Sequence, residues 1–188
     1  MADLRDLLFG DVPLAEWTGD DEPWALFRDP TPENLHAVLA TPGLDSRHYL
    51  EAWFGLRTLG ERAPATLYGV VLDVPVDGGV DTLAAYPDHS ARYLNHSGAA
   101  IVWDRTDPAI AGHIDAVLQA AAPLLGLAGV WEGERPPLRT GLARVSLLCA
   151  DGLHFGEGPA APFIASAEAG PVFAAGIALM QALIAVSG

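Results

Sequence analysis

Residues 67–104 constrain the fold more than any other part of the chain. They form four short apolar or alternating runs, separated by turn signals at Gly78-Gly79, Asp88-His89 and Ser97-Gly98. Two-residue loops of Gly, Asp and Asn type are the commonest connections in β-hairpins. The segment therefore predicts four antiparallel strands arranged as a meander.

Two-residue loops at all three turns predict a register for these strands. Val74 then lies opposite Leu83, and Leu94 pairs with both Leu83 and Ile101. Because side chains alternate between the two faces of a strand, this register fixes which residues face the core, and a one-residue slip would exchange the faces. The predicted core face consists of Val70, Leu72, Val74, Leu83, Ala85, Leu94, Ile101 and Trp103.

The opposite face of the predicted sheet is mixed in character. It collects Val71, Asp73, Thr82, Ala84, Tyr86, Tyr93, Asn95 and Val102. Convergent polar groups among small and aromatic residues are typical of binding sites, so Asp73, Tyr86, Tyr93 and Asn95 are candidate ligand-binding residues. The alternative is a second packing surface with locally satisfied polar atoms.

The same register places two pairs at the ends of the core face. Arg92 lies beside Trp103, where a cation–π contact is expected, and both residues are candidates for a binding surface. Asp81 lies beside His96, which predicts either an acid–base pair or a clasp at the sheet edge.

The sheet segment also resembles a family of uncharacterised bacterial proteins. The run Asp81-Thr-Leu-Ala-Ala-Tyr86, followed by Asp88 and Ser90-Ala-Arg-Tyr93, is similar to the pattern D-T-L-A-A-Y-x-D-G-x-A-R-Y, except that His89 stands where Gly is expected. The similarity extends to residues 151–159 and covers roughly the last two-thirds of the chain. It implies a bacterial protein but no particular activity, and it supplies no catalytic residue.

Charge and residue usage exclude several classes of function. The formal net charge is −14, from 24 acidic and 10 basic residues, which disfavours nucleic-acid and anionic membrane partners. All ten basic residues are arginine. Schiff-base enzymes and Walker-type phosphate loops need a lysine, so both classes are excluded and no cofactor is expected.

The single cysteine, Cys149, rules out an internal disulfide and fits a reducing compartment. The amino terminus lacks the basic-then-apolar order of a secretion signal. We therefore expect a cytoplasmic protein.

The remaining chain predicts mainly helices. Residues 1–30 are expected to form an amino-terminal arm that carries Trp17, Trp24 and Phe27, and residues 31–188 to form a single α+β domain in which helices cover the antiparallel sheet. Helix starts are predicted at Thr31-Pro32, at Asp45 or Ser46, and at Asp107-Pro108. The apolar helix over residues 171–186 predicts burial in the core or in a dimer interface.

A predicted hairpin at residues 142–158 carries the densest group of potential ligands. Its first strand places Val145, Leu147 and Cys149 on one side, and its return strand contains His154 and Glu157 after a turn at Asp151. Asp151, His154 and Glu157 fit a metal or hydrolytic site loosely, and solvated charges around a tight turn are the alternative. Alternation places Glu157 opposite His154 unless a bulge intervenes, and no metal is assigned.

Three functions remain open after these exclusions. The first is a non-catalytic binding or scaffold protein that self-associates as a homodimer or binds another protein. The second is a small-molecule enzyme that uses the sheet-face residues or the hairpin at 151–157. The third is an acidic, immunity-type partner of a basic protein, which only the net charge supports.

Overall fold

The computed structural model of the protein describes residues 4–11, 24–104, 107–133 and 135–187. Its helices are α1 (Leu4–Phe9), α2 (Pro32–Ala40), α3 (Ser46–Thr58), α4 (Pro108–Ala121), α5 (Ala160–Ile164) and α6 (Gly170–Ser187), with 3₁₀ segments at Trp24–Arg28 and Ala122–Gly126. Its strands are β1 (Leu67–Val76), β2 (Gly79–Ala85), β3 (Ala91–Leu94), β4 (Ala100–Trp103), β5 (Leu142–Cys149) and β6 (Gly152–Pro159).

The strands within these described residues form one antiparallel sheet in the order β4-β3-β2-β1-β5-β6. The first four strands follow each other as a meander. The chain then crosses through α4 and returns beside β1, so β1 pairs with both β2 and β5. The predicted single-domain α+β fold with an antiparallel sheet is confirmed.

The β1–β2 hairpin turns one residue earlier than predicted. Val76 pairs with Gly79, so the loop is Asp77-Gly78 and Leu83 lies opposite Leu72 instead of Val74. Of the two loop residues only Gly78 has a positive φ, of 95°, which glycine adopts without steric cost. The register moves by two residues, which leaves each side chain on its predicted face.

The predicted face of β3 is wrong, because both of its turns are three-residue loops. Tyr86 N–H donates to the Ser90 carbonyl and Asn95 N–H to the Ala99 carbonyl. Each loop ends in a residue at positive φ, as expected of a three-residue hairpin with a bulge: His89 at 62° and Gly98 at 89°.

Each of these loops moves the register by one residue relative to the prediction. The first shift turns the side chains of β3 to the face opposite the predicted one, and the second returns the side chains of β4 to their predicted face. Leu83 therefore pairs with Tyr93, which in turn pairs with Ile101. Tyr93 joins the core face, whereas Arg92 and Leu94 occupy the opposite face.

Helices cover both faces of the sheet. On one face, α4 and α6 pack over the largest core cluster, where Ile110, Val117, Phe173 and Leu179 are almost fully buried. On the other face, α1 and α3 cover a smaller cluster that contains Val71, Ala84, Tyr86 and Leu148. Between α2 and α3 lies a third cluster, of Phe27, Leu35, Val38, Ala52 and Leu56.

The predicted helix starts are confirmed by their caps. The side chains of Thr31, Asp45 and Asp107 accept hydrogen bonds from backbone N–H groups in the first turns of α2, α3 and α4. Proline occupies the first position of α2 and of α4, where its missing N–H costs nothing. Of the aromatic residues in the predicted arm, Phe27 packs into the domain and Trp17 lies outside the described residues.

The left-handed backbone at His89 predicts opposite effects of two substitutions. His89→Gly should be neutral or should raise the free energy of unfolding by up to about 1 kcal/mol, because glycine adopts positive φ without steric cost. His89→Val should lower it by about 1–2 kcal/mol, because β-branched residues are strained there. Both variants lose the contact between His89 Nε2 and Asp115, which is 3.2 Å. The difference between their urea unfolding midpoints therefore reports the cost of the left-handed backbone conformation at residue 89. Equal midpoints would contradict the assigned turn.

Candidate functional site

The mixed face of the sheet is a packing surface and not an open ligand face. Asp73 and Tyr86 are almost completely buried beneath α1. Arg5 of α1 binds Asp73 through Nη2 at 3.1 Å and Asp11 through Nη1 at 2.7 Å. The Tyr86 hydroxyl donates to the Phe9 carbonyl at 2.6 Å, and burial raises the pKa of Tyr86 above its ordinary value. These polar groups hold the amino-terminal segment on the sheet.

Arg92 does not lie on the core face beside the Trp103 indole as predicted, because the register shift turns it to the opposite face. Its guanidinium is buried and donates to the Trp103 carbonyl at 3.0 Å. Its Nη2 forms a 2.6 Å ion pair with Asp104 and lies 3.5 Å from Asp45, the cap of α3. Arg92 therefore connects β4 to the start of α3.

The other predicted residues near β3 also have structural contacts. Tyr93 donates from its hydroxyl to Asp81 at 2.7 Å, and burial together with that carboxylate raises the pKa of Tyr93 to about 12. The predicted Asp81–His96 contact is present, with Nδ1 3.0 Å from Oδ1. Asn95 accepts hydrogen bonds from Ser97 and Ala99 within its own turn. The predicted set around Asp73 and Tyr93 therefore does not converge on a cavity.

Glu157 lies on the opposite face of β6 from His154, as alternation predicts. It pairs across the sheet with Arg144, whose side chain is fully buried and whose Nη2 lies 2.6 Å from the Glu157 carboxylate. The Arg144 hydrogen bond lowers the pKa of Glu157, although partial burial acts in the other direction. Arg139 adds a contact at 3.1 Å. Glu157 is therefore a countercharge for buried Arg144.

A concavity lies between α3 and the β5–β6 hairpin. Its volume is about 820 Å³, which is within the range of small-molecule sites. Its walls come from the chain after α1, from α3, from residues 130, 131, 133 and 135, and from the hairpin. The lining residues that sequence reasoning did not select include Leu50, Glu51, Phe54, Arg57, Val130, Trp131 and Arg135.

The groove has one apolar aromatic wall and one charged wall. Arg57 lies over the Phe54 ring at 5.7 Å and donates to the Ala150 carbonyl. Across the groove, the Trp131 ring packs 5.1 Å from Phe155 and is 45% exposed. Asp151 stands at the hairpin end of the groove. Such a groove suits a small ligand with a flat apolar part and a charged end.

Cys149, Asp151 and His154 come together next to this end of the groove, which Cys149 and Asp151 line. One ligand atom of each residue lies within 4.8 Å of the other two. His154 Nε2 is 3.0 Å from Asp151 Oδ1, and Nδ1 is 2.9 Å from the Ala128 carbonyl. Burial and the nearby Asp151 carboxylate raise the pKa of Cys149 to about 12, so the metal-free side chain is a thiol at neutral pH.

The sequence prediction included two of these three residues and missed the third. Cys149 pairs with Gly152 and Leu147 with His154, so both chemically active side chains lie on one face of the hairpin. The spacing Cys-x-Asp-x-x-His around a tight turn is the signal that points to this group. The structure brings Asp151 and His154 together as predicted. The third member of the group is Cys149 and not Glu157, which the sequence analysis had included.

Comparisons of the chain with protein-family models, with curated proteins and with solved structures found no match. The resemblance of residues 81–103 to a bacterial family stays a prediction. Function must therefore be inferred from the geometry of the molecule itself.

Glu157→Gln should lower the free energy of unfolding by about 2–3 kcal/mol at pH 7, because it leaves a buried guanidinium without its countercharge. In the wild type the folded-state pKa of Glu157 lies below its ordinary value of 4.5. The stabilisation is therefore present above pH 4.5 and is lost as the pH falls through the lowered folded-state pKa. Denaturant unfolding at pH 7 and at pH 3 should show the two proteins converging at low pH.

A matched control for this variant is Glu61→Gln. Glu61 pairs with the exposed His36 at 3.1 Å, so its loss should change stability by less than about 0.5 kcal/mol. Equal losses in the two variants would contradict a special role for the Arg144–Glu157 pair.

Proposed function

We propose that this chain is a non-catalytic binding protein that associates with a second copy of itself through the outer surface of α4 and α6. The observation that carries the proposal is the composition of that surface. Helix α6 contains no acidic or basic residue, and α4 contains no lysine or arginine and a single carboxylate, Asp115. Solvent-facing helix surfaces normally carry charged and polar side chains.

Some of the exposed positions on the two helices form stripes at helical spacing. The α4 stripe consists of Ala109, Gly112, Ala116 and Gln119, and the α6 stripe of Ala174, Ile177, Gln181 and Ile184. The α4 stripe is therefore small and the α6 stripe is bulky. We refer to these eight residues as the outer helical layer.

This difference in size makes the layer complementary to itself. In a two-fold dimer each surface patch meets the same patch of the partner copy, so α6 of one copy can contact α4 of the other. Isoleucine side chains would then pack against a groove of alanine and glycine. Within one copy, α4 and α6 cannot cover each other's part of the outer helical layer, because the two helices lie side by side on the sheet.

The size of the layer supports an interaction surface. Helix α6 has 18 residues, or about 27 Å of length at about 1.5 Å per residue. Two adjacent helices about 9 Å apart give a patch of about 500 Å². Apolar patches of this size on a soluble protein commonly mark a binding surface.

A second copy explains the layer better than a lipid surface does. The segments Pro108–Gly126 and Gly170–Ser187 are each long and apolar enough to cross a membrane by length and composition. However, each helix contributes one side to the core cluster beneath it. Interfacial membrane helices carry lysine and arginine on their polar face, whereas neither helix contains either residue and the net charge of the chain is −14.

In this proposal the groove beside the hairpin is the binding site. It is separate from the outer helical layer, because its walls come from α3 and from the carboxyl-terminal end of β5. A bacterial, cytoplasmic setting remains part of the proposal. The groove is also the observation that favours the second candidate, a small-molecule enzyme, because it contains Asp151 and Cys149.

Sedimentation velocity over a concentration series should give a dimer for the wild-type chain. Ile177→Glu and Ile184→Glu place a charge on the outer helical layer at residues that are 46% and 48% exposed. Each should raise the dimer dissociation constant by at least about 30-fold, because burial of an unpaired carboxylate opposes association.

Leu59→Glu is the matched control for these variants. Leu59 is 52% exposed at the end of α3, which packs on the opposite face of the sheet. This variant should leave the dimer unchanged and should report any general effect of replacing an exposed apolar residue. A wild-type monomer at all accessible concentrations, or equal weakening by Leu59→Glu, would contradict the proposal.

A further inference from the structure

The end of the β5–β6 hairpin is built as a small, preorganised pocket of donor atoms. Cys149 and His154 are 2% and 5% exposed, and Asp151 stands between them in the turn. The Cys149 sulfur, an Asp151 oxygen and a His154 ring nitrogen lie within 4.8 Å of one another. These three kinds of donor are the ones that zinc takes in proteins.

The second ring nitrogen of His154 is already held in the manner of a metal ligand. His154 Nδ1 is 2.9 Å from the Ala128 carbonyl, to which it donates when it carries the proton. That tautomer leaves the lone pair on Nε2, the nitrogen that faces Asp151 at 3.0 Å. Histidines that bind metals usually donate their other N–H to a carbonyl or carboxylate in this way.

The backbone around the three residues is fixed by a second segment of chain. Val130 forms a bridge with His154, and Trp131 N–H donates to the Leu153 carbonyl at 2.7 Å. Gly152 has a φ of 139°, and a Cβ atom there would lie 2.8 Å from Val130. The hairpin turn and the segment that carries Ala128 therefore constrain each other closely, which holds the donor atoms in place.

We propose that Cys149, Asp151 and His154 bind one zinc ion through Sγ, a carboxylate oxygen and Nε2. Zinc–ligand distances of about 2.0–2.3 Å place tetrahedral donor atoms about 3.3–3.7 Å apart. His154 Nε2 and Asp151 Oδ1 are 3.0 Å apart and the three ligand atoms lie within 4.8 Å of one another, so binding needs side-chain shifts of roughly 1–1.5 Å. The site is independent of the outer helical layer and does not rest on self-association.

Charge balance favours a divalent cation here. On binding, Cys149 loses its thiol proton to solvent, and the resulting thiolate and the Asp151 carboxylate neutralise the two positive charges of zinc. A neutral cluster avoids the cost of a net charge in this largely buried place.

The proposed site borders the groove, because Asp151 and Cys149 both line it. Three protein ligands with an open fourth position are typical of zinc sites that bind water or substrate. Arg57 lines the same groove and supplies a positive charge near Asp151. A small anion that enters the groove could therefore meet both the metal and Arg57.

Cobalt(II) is the spectroscopic probe, since it replaces zinc and reports its ligands. Titration of the purified full chain should give one equivalent of bound cobalt with a thiolate-to-cobalt charge-transfer absorption. Because the chain has a single cysteine, that absorption assigns Cys149 directly. Zinc should abolish it by competition, and free zinc at about 100 times its dissociation constant should raise the Tm by about 5 °C.

Cys149→Ser, Asp151→Asn and His154→Ala should each weaken zinc binding at least about 100-fold in calorimetric titration. His96→Ala is the matched control, because His96 faces the Asp81 carboxylate at the same 3.0 Å separation but in an exposed pair. It should leave zinc affinity unchanged. Circular dichroism of the metal-free proteins checks that each variant is folded.

Stoichiometric cobalt binding without the charge-transfer absorption would overturn the proposal, and this measurement needs only the wild-type chain. Zinc binding that survives Asp151→Asn and His154→Ala but disappears with His96→Ala would show an adventitious surface site. Absence of any zinc binding at micromolar protein would leave His154 and Asp151 as a structural clasp and would also overturn the proposal.

Discussion

Burial of the sheet on both faces is the constraint on which the rest of the structure depends. One face receives an apolar layer from α4 and α6, whereas the other carries Asp73, Arg92 and Arg144 beneath or beside the amino-terminal helices. A buried charge is tolerated only when it is paired and hydrogen-bonded. Arg5 neutralises Asp73, and Glu157 neutralises Arg144. Arg92 is neutralised by Asp104 and by Asp45, the cap of α3. These pairs fix the position of the α1 segment, of α3 and of the hairpin edge.

The element order could be predicted from the sequence, and the exact register could not. Apolar periodicity identified the strands and the later helices, and capping residues such as Thr31 and Asp107 located helix starts. The predicted register was wrong at β3 because the length of a hairpin loop depends on which residue adopts a positive φ. His89 occupies the left-handed region although Gly is the usual residue there. One misjudged loop residue was enough to move Tyr93 into the core and Arg92 out of it.

The candidate site was predictable only where its residues are neighbours in the chain. Asp151 and His154 belong to one hairpin, and cross-strand pairing adds Cys149, so local spacing indicates all three. The groove is different, because Arg57 and Phe54 come from α3 and Trp131 from a distant connection. Their meeting depends on how α3 docks on the sheet, which the order of residues does not reveal. The prediction for Tyr86 was wrong for a different reason. A hydroxyl that bonds to a covering helix, as Tyr86 does to the Phe9 carbonyl, looks the same in sequence as one that is free to bind a ligand.

The two edges of the sheet also limit how copies of the chain can join. Strand β4 is only four residues long, and the Trp103 carbonyl accepts a hydrogen bond from Arg92. At the outer edge of strand β6, Val130 forms a bridge with His154 and Trp131 N–H donates to the Leu153 carbonyl. The strand ends at Pro159. Short or covered edges oppose strand addition from another molecule. Extension of the sheet by a strand from another molecule is therefore disfavoured at β4 and at the end of β6 that Val130 and Trp131 cover.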